Sequence, residues 1–271
     1  MKKILSILIV VGLVLTVNVV FAKNAKNPGD DIPEQEGIYD VPGHPNMKVR
    51  VFVYKERPDN PGKPDKPGKP EPTPPSEQCG LEDPDSSEVV NATGWELPLT
   101  WEYSLNASSV PDTVGSENLE TIAENSFKAW TDQVSVEINK GPDTLTAKYG
   151  LDGQNIIAWG RTSGRTLGVT YIWYYTSGEL AGQVAEVDTI MNKRVLWMWS
   201  DPLNWSDPIC AYTESYDAQN ILTHEIGHWF GLDDHYTEAY ENNTMYGYGS
   251  KMETKKDTLT TGDIIGVKSL Y

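Results

Sequence analysis

Thr223-His224-Glu225-Ile226-Gly227-His228-Trp229-Phe230-Gly231-Leu232-Asp233-Asp234-His235 is the stretch that decides how the rest of the chain is read. It closes an apolar-rich run over 217–232 that predicts a helix ended by Gly231, since glycine tolerates the left-handed φ of a helix C-terminus. Residues four apart share a helix face. His224 and His228 can therefore aim two ring nitrogens at one zinc ion, each about 2.0–2.1 Å from it. Glu225, one position along, points beside the ion and is placed to accept a proton from water. A third ligand must come from the chain after the turn at Gly231. Asp234 and His235 both stand there, and Asp234 is the preferred reading.

Around this stretch the chain alternates strand and helix signals. Thr100-Trp101-Glu102-Tyr103-Ser104, at the end of a run from Leu97, reads as a strand. Leu119, Ile122, Ala123, Phe127, Trp130 and Val134 recur at helical spacing behind Ser116, a candidate N-cap, so 117–134 should be an amphipathic helix. Ile156 to Trp159, Val169 to Tyr175, Ala185 to Met191 and Val195 to Trp199 are β-rich and punctuated by glycine. Thr260-Thr261-Gly262-Asp263 has the form of a capping box before a last short helix. Between the two histidines and that helix lies Asn243-Thr244-Met245-Tyr246-Gly247-Tyr248.

The pattern His-Glu-x-x-His-x-x-Gly is the metzincin signature up to its last ligand, and with Met245-Tyr246 it resembles the matrixin branch. Asn125-Ser126-Phe127-Lys128-Ala129-Trp130 and the closing run from Leu259 to Tyr271 are similar to the first and last helices of matrixin domains, so the likeness spans roughly residues 95 to 271. It implies an α/β (α+β) fold: a twisted, mostly parallel sheet with an antiparallel edge strand, an active-site helix and a C-terminal helix. Val169 to Tyr175 is the candidate for the edge along which a peptide would lie extended. The resemblance implies a zinc endopeptidase, with His224, His228 and Asp234 (alternatively His235) as metal ligands, Glu225 as general base and Met245 packed beneath the histidines. The family's third histidine falls at Asp234, and carboxylate is a competent zinc ligand. The proline usual after Met-Tyr is Gly247 here, which leaves side-chain preference open. With four histidines in all, the second, histidine-held zinc of many matrixins is not expected. Tyr246 and Tyr248 are read as core or pocket wall rather than as oxyanion donors. Glu186 and Asp188 are candidates for a structural Ca²⁺, with exposed strand carboxylates the commoner outcome.

The upstream third is built differently. Met1-Lys2-Lys3, an apolar run to Val20 and the small-x-small Val20-Phe21-Ala22 read as a signal peptide over 1–22, cleaved after Ala22. Residues 23–57 form a short segment with one plausible strand, Lys48 to Tyr54, serving as a propeptide or a docking strand. Residues 58–76 are a proline-rich linker, extended and solvated because proline lacks the amide donor. Residues 77–271 form the catalytic domain. Two cysteines in an exported chain invite a disulfide, Cys79 to Cys210; Cys79 also faintly resembles the matrixin cysteine switch, without its preceding Pro-Arg. A formal net charge of −17 and a pI of about 4.6 argue against nucleic acid or anionic membrane as partner. The expectation is a secreted monomer acting on protein or peptide substrates. A secreted zinc-binding or adhesion module is the alternative, and a zinc hydrolase of non-peptide substrates is a weaker one.

Overall fold

Along Met47–Glu56 the side chains alternate between two buried faces, the mark of a strand with structure on both sides. Val49, Val51 and Val53 pack with Val169, Tyr171 and Trp173 on one face. Phe52 and Tyr54 face the main core. This strand comes from upstream of the proline-rich stretch, and its position organises the site. The computed structural model describes residues 32–58, 83–201 and 214–271. The signal-peptide segment, Cys79, Cys210 and nearly all of the linker lie outside the described residues.

The strands are β1 (Gly37–Asp40), β2 (Met47–Glu56), β3 (Thr100–Leu105), β4 (Glu137–Lys140), β5 (Ile156–Gly160), β6 (Thr166–Tyr175), β7 (Val184–Asn192), β8 (Trp197–Met198), β9 (Tyr216–Asp217) and β10 (Tyr248–Gly249). The main sheet runs β1-β2-β6-β7-β5-β3-β4, with β10 pairing β2. β4, β3, β5 and β7 are parallel neighbours; β6 is antiparallel to β7. Taken from Thr100 onward, β6 is the margin of the sheet. It is not an open edge, as the sequence reading had it, because β2 pairs with it antiparallel from Met47↔Tyr175 to Tyr54↔Gly168. β1 then covers β2.

Among the described residues three α-helices complete the fold: α1 (Leu119–Thr131), α2 (Ala218–Trp229) and α3 (Thr261–Lys268). α1 buries Leu119, Ile122, Ala123, Phe127 and Trp130, the stripe that the spacing foretold. Its start differs: Ser116–Asn118 is a 3₁₀ turn, and no side chain caps the helix. Every residue of α2 is buried, because α1, the sheet and the 240–260 loop enclose it. Trp130 Nε1 donates to the Thr223 carbonyl at 2.9 Å and locks α1 against α2. α3 carries the expected capping box, Thr260 with Asp263.

Candidate metal centre

Two devices fix α2. At its start Asp217 Oδ1 accepts from the Gln219 and Asn220 amides, both at 2.9 Å, satisfying two of the donors that a helix N-terminus leaves free. At its end Gly231 adopts φ 91°, a left-handed conformation, and turns the chain back. That turn carries Asp234 to the two histidines. Nε2 of His224 lies 3.2 Å and Nε2 of His228 3.7 Å from Asp234 Oδ1.

The protonation states follow from the outer partners. His224 Nδ1 is 2.7 Å from the Thr244 carbonyl, and His228 Nδ1 is 2.8 Å from the Leu232 carbonyl. A carbonyl oxygen can only accept, so each Nδ1 carries a hydrogen, and in the neutral form of either ring the lone pair is then at Nε2. Burial lowers the His228 pKa to about 3, which keeps that ring neutral. Burial works against the Asp234 carboxylate, but the charge that the His228 and His224 rings carry when protonated, with the hydrogen bonds from His224 and the Tyr236 hydroxyl, outweighs it and lowers its pKa to about 2. Three acceptor atoms thus face one another, and none of them has a hydrogen-bond partner. Ligand atoms around a tetrahedral ion at 2.0–2.1 Å stand about 3.3 Å apart. The donor set and its spacing fit zinc. Among the described residues, His224, His228 and Asp234 are the group able to hold a metal ion. His235 is turned elsewhere: its Nε2 accepts from the Asn91 amide at 3.0 Å, and its ring stacks on Tyr240.

Glu225 is fully buried beside this group. Thr170 of β6 donates its hydroxyl to Glu225 Oε2 at 2.5 Å, while Oε1 has no partner. Burial raises the Glu225 pKa to about 8, against the pull of that hydroxyl. Met245 is also fully buried, and a Cβ on Gly227 would stand 2.2 Å from its sulfur. The helix turn between the histidines therefore rests directly on Met245. Asp263 holds that loop: Oδ2 accepts from Thr244 N at 2.9 Å and Oδ1 from Met245 N at 3.3 Å.

Other sequence-predicted residues fall elsewhere. All four oxygens of Glu186 and Asp188 accept backbone amides, from Asp152, Gly153, Gly150 and Ile156, and so brace the loop before β5. Both carboxylates are buried rather than exposed. Tyr246 and Tyr248 contribute their carbonyls to Lys256 Nζ, at 2.8 and 2.9 Å. Several neighbours of the site were not foreseen. Tyr236 donates its hydroxyl to Asp234 Oδ2 at 3.0 Å. Phe52 lies flat on His228, with ring centroids 3.7 Å apart, and Tyr54 on His224 at 3.9 Å. The apolar alternation of residues 48–54 marks a strand face, but nothing local says what it covers.

An enclosed His-His-Asp triad on a helix and its following turn, backed by a buried carboxylate and floored by methionine, defines a metallopeptidase-type centre. A matrixin family model matches residues 95–271, about two thirds of the chain, and the chain belongs to the matrixin family. It is 25% identical over 177 residues to the metalloendoproteinase 1-MMP of Arabidopsis thaliana, a match that spans 64% of this chain and 43% of that protein.

Proposed function

We propose that this chain is a secreted zinc endopeptidase in which His224, His228 and Asp234 hold the metal and Glu225 is the general base. The observation that carries the reading is the set of three buried acceptor atoms facing one another beside a buried carboxylate. When bound, zinc supplies a Lewis acid that polarises a carbonyl and lowers the pKa of water to about 7. With a metal's positive charge beside it favouring the ionised form over the raised pKa of the metal-free site, the Glu225 carboxylate would take the proton of the attacking water and return it to the leaving amine. Thr170 orients that carboxylate through its hydroxyl. The Thr244 and Leu232 carbonyls hold the two imidazoles in the tautomer that ligation needs. The leader over 1–22, cleaved after Ala22, would export the protein as a soluble monomer; no described helix is long and apolar enough to cross a membrane.

The test is cleavage of unfolded casein, by the intact chain and by chain cut within the proline-rich stretch, with and without chelator, beside Glu225→Ala at matched zinc content. Chelator-sensitive cleavage that disappears in Glu225→Ala is expected. Stoichiometric zinc without cleavage by either form would favour a zinc-binding module. Absence of bound zinc would refute the ligand assignment.

A further inference from the structure

β2 lies in a channel whose two walls both come from the family domain. β6 pairs with it antiparallel on one side, and β10 pairs with it in parallel on the other, Tyr248↔Lys55 and Gly249↔Glu56. Such pairing is made by main chain and is open to any extended peptide. Towards the site β2 sets Phe52 over His228 and Tyr54 over His224, and both rings, both histidines and Glu225 are fully buried. A peptide bond can reach the three ligand atoms only if this strand is displaced.

The Tyr54 side chain fills a pocket built by residues of the same domain. Its ring lies against His224, and its Cε1 approaches Gly249 beside Leu167 and Ile221. Its floor is Lys256, fully buried, whose Nζ donates to the Tyr246 and Tyr248 carbonyls and, in a short contact, to the Tyr54 hydroxyl. An ammonium has three donors. Two are satisfied by the pocket's carbonyls, Glu253 Oε2 stands 3.9 Å away as an ion-pair partner beyond hydrogen-bond reach, and the third donor is satisfied by whatever fills the pocket. Phenylalanine would fill the volume and leave a buried donor without a partner, which costs much more than a lost contact at a surface.

Building on the peptidase reading, we propose that residues 47–56 are a tethered surrogate for the peptide substrate, and that Lys256 is a specificity-determining residue which makes the pocket beneath His224 select a side chain of tyrosine's length with an acceptor at its tip. The surrogate holds the site closed in the intact chain. Severing the proline-rich stretch makes its departure irreversible, because the strand then competes as a free peptide rather than at the high effective concentration of a tether.

The test uses binding to metal-free protein, so it does not depend on turnover or on zinc. A site for an unrelated protease is placed between residues 59 and 82 of the full chain, and the chain is cut. The probe is a fluorescent peptide with the sequence of residues 47–56, followed by anisotropy. It should bind the cut chain at least about tenfold more tightly than the intact chain. A Tyr54→Phe peptide should bind about tenfold more weakly than the parent, and a Tyr54→Ala peptide more weakly still. Against Lys256→Met protein the tyrosine and phenylalanine peptides should differ by less than about twofold. A cut chain that retains its own fragment and excludes the probe up to its unfolding midpoint would make β2 an integral strand and overturn the proposal. Equal binding of the two peptides to the wild type would overturn the role of Lys256, and that comparison stands even if Lys256→Met does not fold.

Discussion

Replacing Gly227 with alanine sets two opposing terms against each other inside the metal-binding helix. In an exposed helix the change would stabilise by about 1 kcal/mol through propensity. Here the new methyl would stand 2.2 Å from Met245 Sδ and 2.8 Å from Trp130 Cζ2, both in fully buried side chains. Overpacking of this kind costs about 1–3 kcal/mol, so Gly227→Ala should come out destabilised by up to about 2 kcal/mol. Met245→Ala opens a cavity in the same place and should cost about 2–5 kcal/mol. The double variant lets the Gly227 methyl occupy part of that cavity. It should be more stable than the sum of the singles by about 1–2 kcal/mol. Urea unfolding of the metal-free proteins at one pH, with equal m values, measures all three. Singles that add within about 0.5 kcal/mol, or a Gly227→Ala protein more stable than wild type, would refute the argument that Met245 supports the helix at this turn.

Asp234→Ala should weaken zinc binding more than about 100-fold, beyond the loss typical of an outer partner, while His235→Ala keeps one zinc per chain; competition with a chromophoric chelator reads both, and the opposite pattern would make His235 the ligand. Asp217→Ala removes the cap of α2 and also the acceptor of Ser200 N and Oγ, so it should cost about 2–4 kcal/mol in urea unfolding; a loss below about 0.5 kcal/mol would show that tertiary packing alone holds the helix start. Glu225 has a folded pKa of about 8 against an ordinary 4.5, so its contribution to stability is complete below about pH 4.5 and is lost as pH rises through 8. Metal-free Glu225→Gln should therefore match wild type at low pH and exceed it progressively across that window, at a scale of about 1.4 kcal/mol per pH unit; a constant difference would remove burial as the cause.

What the sequence disclosed was local. The stripe Leu119, Ile122, Ala123, Phe127 and Trp130 carries its own period, and α1 buries it. Thr260 and Asp263 announce a helix start three residues apart, and the capping box is there. The turn at Gly231 placed Asp234 near the histidines because glycine alone takes φ 91° without strain. What escaped the sequence depends on partners far along the chain. Lys48 to Tyr54 reads as a strand, yet its partner β6 begins more than a hundred residues later, and alternation does not encode register or neighbour. β1 and β4 are four-residue strands too short to show a period. Lys256, one of a lysine pair, has the look of a solvated turn; three acceptors gathered from Tyr54, Tyr246 and Tyr248, with the Glu253 carboxylate 3.9 Å away, make its burial tolerable. The enclosed Glu186 and Asp188 are legible only once the amides that they accept are folded against them.

Asp263 ties the order of synthesis to the order of assembly. Its carboxylate receives the Thr244 and Met245 amides, and the Thr244 carbonyl in turn orients His224. A nascent chain emerging from the ribosome exposes both histidines well before the residue that fixes their support. During that interval α2 can form, but the loop beneath it lacks its anchor and His224 lacks its fixed tautomer. β2, made well before β6 and α2, is already waiting for them. The geometry thus brings the cover into being before the chemistry, and a ribosome-bound fragment ending short of residue 263 has the ligands of a metal centre without the frame that aims them.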